Sequence, residues 1–126
     1  MFTHVMIGCH SPEEGRAFYD ATFAALGVTG QPTPNGGFYG SPATGMFGVA
    51  SPRDGAPATH ANGGTIGFQA KNPAAVDAWH AAALANGGTC DGPPGRRDMP
   101  GQPMYGAYAR DQVGNKLCAF TINVDG

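Results

Sequence analysis

Short apolar runs, broken by glycine and proline, set the rhythm of the chain. Thr3 to Cys9 is apolar and β-branched, which suits a buried strand. Ser11-Pro12-Glu13-Glu14 follows. Ser11 can accept from the backbone of the third helical residue, and Pro12 stands where no N–H is needed. Ala17, Phe18, Phe23 and Leu26 recur on one face, and Gly27 supplies a left-handed stop. The spacing predicts a helix over 11–26. A second unit opens with a strand from Thr65 to Ala70, then Asn72-Pro73 repeats the cap and the first-turn proline. An Ala-rich helix over 73–86 follows, with Val76, Trp79 and Leu84 on one face and Asn86-Gly87-Gly88 as its stop.

The two units share a register. Pro12 and Pro73 lie 61 apart, and the same offset matches His4 with Thr65, Val5 with Ile66, Ser11 with Asn72 and Phe18 with Trp79. This is an internal duplication. Strand-like pieces follow each helix, at about 28–32, 36–41 and 45–51, then at about 88–92, 104–111 and 115–124. Matching Gly45 with Gly114 raises the offset to 69, so about eight residues are added in the second half. Gly92 to Pro103 is rich in Gly and Pro and reads as that insertion, a long loop over a site. The chain is therefore expected to be one α+β domain over 1–126, with βαβββ halves at about 1–51 and 64–126 joined by Pro52 to Gly63. A Rossmann sheet needs helices between strands throughout, and only two helices are legible.

Composition narrows the picture. The 126 residues hold 21 Gly and 11 Pro, only 13% charged residues and a formal charge of −2. An apolar fraction of 41%, with seven Phe, four Tyr and one Trp, argues for a folded domain with an aromatic and Ala core. No basic surplus exists to neutralise phosphates, so no nucleic-acid partner is expected. No apolar run reaches the ~18 residues of a membrane span, and Met1-Phe2-Thr3-His4 lacks a basic secretory region. Cys9, Cys90 and Cys118 are odd in number and lack CxxC spacing, which reads as free thiols in a reducing cytoplasm.

The His-bearing first strand, the duplication and the run Asp111-Gln112-Val113-Gly114-Asn115-Lys116-Leu117-Cys118 resemble the vicinal oxygen chelate superfamily. This group holds glyoxalase I, fosfomycin- and bleomycin-resistance proteins and extradiol dioxygenases. Ala17-Phe18-Tyr19, Asn62-Gly63-Gly64-Thr65-Ile66-Gly67-Phe68 and Tyr105-Gly106-Ala107-Tyr108 carry the resemblance further. It implies two βαβββ modules forming a cupped mixed sheet that holds a divalent metal and a small substrate. It also implies a homodimer. The family's ligand positions fall on His4, on Thr65 where a His is usual, on Cys118 where a Glu is usual, and, by the offset of 69, on Val49. His4 and Cys118 could hold zinc or nickel, but two donors without a carboxylate fall short of a catalytic site with about three ligands and a base. The set is expected to be incomplete. His4 is alternatively a lining histidine, and Cys118 a small buried hydrophobe.

Alternation assigns the lining residues. If His4 faces in, so do Met6, Gly8, Thr65, Gly67, Gln69, Tyr108, Arg110, Lys116, Cys118 and Phe120. The offset adds Tyr39, opposite Tyr108, and Phe47, opposite Lys116. Tyr39, Phe47, Gln69 and Tyr108 are then candidates to bind a small organic ligand, unless the same rings fill a closed core. Arg97 is a candidate for an acidic group, and Arg53 and Arg96 are solvated or share that role. His60 is a loop histidine or a substitute ligand near Thr65. Two functions remain open: a lyase or isomerase of the lactoylglutathione-lyase type, and a non-catalytic small-molecule binder of the bleomycin-resistance type.

Overall fold

The structure, a computed structural model, describes the backbone of residues 1–126 and every side chain but that of Met99. Its first module is β1 (His4–Gly8), α1 (Pro12–Ala25), β2 (Gly30–Thr33), β3 (Gly36–Ser41) and β4 (Gly45–Ala50). The second is β5 (Ile66–Gln69), α2 (Pro73–Ala85), β6 (Thr89–Met99), β7 (Gln102–Arg110) and β8 (Lys116–Thr121). The two βαβββ modules, and so the α+β class, are as the sequence implies.

Both helices start by the same device. Ser11 accepts from the Glu14 N–H at 3.1 Å, and Asn72 from the Ala75 N–H at 2.9 Å, each followed by the expected proline. Each module then builds the same sheet, ordered β1-β4-β3-β2 and β5-β8-β7-β6. The first strand of each runs parallel to the last, and the remaining pairs are antiparallel. Among the described residues the strands make two four-stranded sheets, one in each module. Each helix covers one face of its own sheet, and α1 and α2 also pack on one another.

One core therefore serves both modules. Phe18, Tyr19 and Phe23 of α1 meet Tyr39, Phe47 and Val49, while Val76, Trp79 and Ala83 of α2 meet Ala107, Ala109, Leu117 and Ala119. The small alanines of β7 and β8 let α2 lie close, so Trp79 is 1% exposed. Phe68 of β5 closes the seam, with its ring 4.8 Å from Phe23 and 5.3 Å from Phe47. A buried polar tie crosses the same seam. Tyr19 donates to the Asp111 carboxylate at 2.6 Å, which also accepts from the N–H groups of Val113, Gly114 and Asn115. The Gly114 φ of 101° permits that tight turn.

Two expectations are corrected here. Gly92 to Pro103 is no loop: it forms much of the β6–β7 hairpin, which turns at Pro100-Gly101. β6 is the edge strand, so Pro93 and Pro94 leave no ladder bond missing, and pairing slips between Cys90 and Gly92 and between Gly92 and Gly95. The second correction concerns register. Val5 pairs with Phe47, and its counterpart Ile66 pairs with Leu117, so these strands match at an offset of 70 rather than 69. A slip of one residue reverses faces. Tyr39 and Phe47 point at α1, the counterpart of Cys118 is Gly48 rather than Val49, and that of Tyr108 is Phe38. No helix among the described residues is long and apolar enough to cross a membrane.

Candidate functional site

In the second module Ala107, Ala109, Leu117 and Ala119 are fully buried against α2. Alternation turns Met104, Tyr108, Arg110, Lys116, Cys118 and Phe120 to the opposite, helix-free face. On β5, Ile66 and Phe68 pack on the core, and Gly67 and Gln69 turn outward. Together these strands line a hollow of about 410 Å³ bounded by Gly67, Phe68, Gln69, Met104, Tyr108, Cys118 and Phe120.

Its bed is aromatic. Tyr108 meets Phe120 edge-on at 5.6 Å. Phe120 lies directly over Gly106, where any Cβ would collide with the ring. A Cβ on Gly67 would come within 3.1 Å of Cys118 Sγ, so glycine keeps this part of the hollow open. Burial pushes the Cys118 thiol up, against the pull of Lys116, so it stays protonated at neutral pH.

The rim is basic. Lys116 Nζ stands 5.1 Å from the centre of the Tyr108 ring. Arg110 and Lys116 share the single carboxylate of Asp91, at 3.2 and 3.7 Å. Arg97 donates to the Pro93 carbonyl at 2.8 Å and lies beside Tyr108, since a Cβ on Gly92 would touch both. Two cations on one carboxylate, with Arg97 beside Tyr108, leave this flank of the hollow net positive. The sequence placed Tyr108, Gln69, Arg97 and Cys118 at the site, and the structure gathers them on this sheet. Asp91 was missed. It fell inside the strand-like piece at about 88–92, but its pairing with Arg110 and Lys116 depends on the β6–β7–β8 register, which the sequence does not display.

The other candidates lie elsewhere. Tyr39 is 2% exposed, stacks on Phe23 at 4.7 Å and donates to Asp20 at 2.5 Å. Burial first, and Asp20 second, push its hydroxyl well up. Tyr39 and Phe47 reach a neighbouring crevice of about 500 Å³ along the module seam, which shares Gly67, Phe68 and Gln69 with the Tyr108 hollow but does not include Tyr108, Cys118 or Phe120. His4 is exposed, bonds Thr3 at 2.9 Å and lines a third hollow of about 370 Å³ with Phe38, Pro42 and Met46. Thr65 is exposed ahead of β5, and Val49 is 1% exposed, facing α1. His60 lies against the Gly114 turn, Arg53 is exposed, and Arg96 faces Asp125 at 3.9 Å.

The donor set does not fit a family-type metal centre. His4 and Cys118 line different hollows of the chain, Thr65 is a poor ligand, and the four positions hold no carboxylate. Among the described residues no three His, Cys, Asp or Glu side chains converge.

A duplicated βαβββ chain, each module a helix packed on one face of a four-stranded mixed sheet, defines the class of fold. The profile of the Glyoxalase/Bleomycin resistance protein/Dioxygenase superfamily matches residues 2–119, and the chain belongs to that superfamily. It is similar to a glyoxalase/bleomycin resistance protein from Albidiferax ferrireducens T118, with 50% identity over 96% of this chain and 98% of that one, at a TM-score of 0.90. A glyoxalase/bleomycin resistance protein/dioxygenase family enzyme from Burkholderia phytofirmans PsJN shares the fold at 17% identity and TM-score 0.71, over 95% and 97% of the two chains. So does a lactoylglutathione lyase from Agrobacterium tumefaciens, at 20% identity and TM-score 0.64 over 96% and 92%. No curated protein sequence matches the chain.

Proposed function

We propose that the protein binds a small molecule with an aromatic body and an acidic group on the helix-free face of its second sheet. The observation that carries this reading is the pairing of an aromatic bed, Tyr108 and Phe120, with a net positive rim of Arg97, Arg110 and Lys116. Stacking and burial supply most of the affinity, and Gln69 and the rim orient the polar end. The binding reading is favoured over the lyase or isomerase reading, because the family's metal positions hold only two firm donors and no carboxylate. The lactoylglutathione lyase neighbour, at 20% identity, supports the fold and not the activity.

A homodimer belongs to the same reading. Phe2 at 71%, Met6 at 45% and Ile122 at 63% exposure leave apolar surface to cover, and both sheets have open edges. Cytoplasmic placement is supported by the three free cysteines.

The test is a thermal-shift panel of aryl carboxylates against their neutral amides. The carboxylates should raise the melting temperature and the amides do so less. No stabilisation by either set counts against the site.

A further inference from the structure

Cys90 and His80 meet at the open edge of the second sheet. Cys90 lies on the edge strand β6 and is exposed, whereas Cys9 and Cys118 are 5% and 7% exposed. His80 reaches from α2, is itself 8% exposed, and places Nε2 3.2 Å from Cys90 Sγ. The strand pairing slips between Cys90 and Gly92, and the Gly92 N–H turns onto the same sulfur at 3.4 Å. A thiol within reach of a base, with a backbone donor ready for its anion, is the arrangement of an activated nucleophile. The ligand hollow uses neither residue.

We propose that Cys90, with His80 as its base, is the peroxide-reactive thiol of this protein. The thiol proton passes to His80 Nε2. The thiolate sulfur attacks one oxygen of hydrogen peroxide, forming an S–O bond as the O–O bond breaks. The leaving hydroxide takes the proton from the imidazolium and departs as water. Sulfur is oxidised to the sulfenic acid, and the peroxide is reduced.

The surrounding charges fit that order of events. Burial holds the His80 pKa below its ordinary 6.5, against the nearby Asp77, so the resting imidazole is neutral and free to accept. The Asp77 carboxylate accepts from Tyr105 at 2.6 Å. Beside Cys90, Asp91 is engaged by Arg110 and Lys116, and Arg97 stands across Gly92.

The experiment exposes the folded protein to hydrogen peroxide with a 1,3-diketone trap for sulfenic acid and counts label on each cysteine by peptide mass spectrometry. Cys90 should carry nearly all of it. At pH 7 the His80→Gln variant should label roughly ten-fold more slowly. In the wild type the Cys90 rate should stay level from the His80 titration to about pH 8, whereas in the variant it should climb with pH as an ordinary thiol does. If the variant does not fold, the wild-type profile decides alone. Label spread evenly over three cysteines, a Cys90 rate without a plateau, or a folded variant that labels as fast as the wild type would overturn the proposal.

Discussion

Asp111 is 6% exposed, and its carboxylate accepts from three backbone N–H groups, the Asn115 amide and the Tyr19 hydroxyl. Because Tyr19 comes from α1 and Asp111 from the β7–β8 turn, this bond holds the modules together. Tyr19→Phe should cost about 1.5–3 kcal/mol in urea unfolding, the range for a hydrogen bond to a charged group. The pH response has a definite sign. Burial, then Asp111, raise the Tyr19 pKa above its ordinary 10.0, and burial raises that of Tyr39. The folded state therefore keeps protons that the unfolded chain releases. Stability from these groups is full below about pH 10 and falls as the pH rises further, and Tyr19→Phe should flatten that fall. At the hollow, Tyr108→Ala should weaken ligand binding about ten-fold, or about 1.4 kcal/mol, in calorimetric titration, while Tyr39→Phe should leave it unchanged.

The elements explain what could be read from the chain and what could not. Both helix starts were legible because Ser11-Pro12 and Asn72-Pro73 are local devices whose partners lie three residues on. Ser11→Ala should therefore lower stability by about 1 kcal/mol, read from the thermal midpoint. The outer half of β6 was not legible, because its prolines and glycines break strand patterns everywhere except at an edge, and edge position is a tertiary fact. The faces of Tyr108, Gln69 and Cys118 followed from alternation within single strands. Those of Tyr39 and Phe47 depended on the offset between modules, and an error of one residue put two core rings into the site.

At the scale of the whole molecule, α1 and α2 pack on each other and each sheet keeps its far face free. The two faces carry different chemistry, His4 with Phe38 and Met46 on one, and Tyr108, Phe120 and Cys118 on the other. A homodimer should appear as twice the mass of 12.8 kDa in light scattering at micromolar concentration, and a monomer alone would count against it. The most direct measurement of the central claim is an amide-resolved NMR titration with the best aryl carboxylate, with and without a chelator. Shifts should cluster at Gly67, Gln69, Tyr108 and Cys118, be unchanged by the chelator and shrink in Tyr108→Ala. Shifts confined to His4 and Met46, or to the seam around Tyr39 and Phe47, or abolished by the chelator, would contradict it.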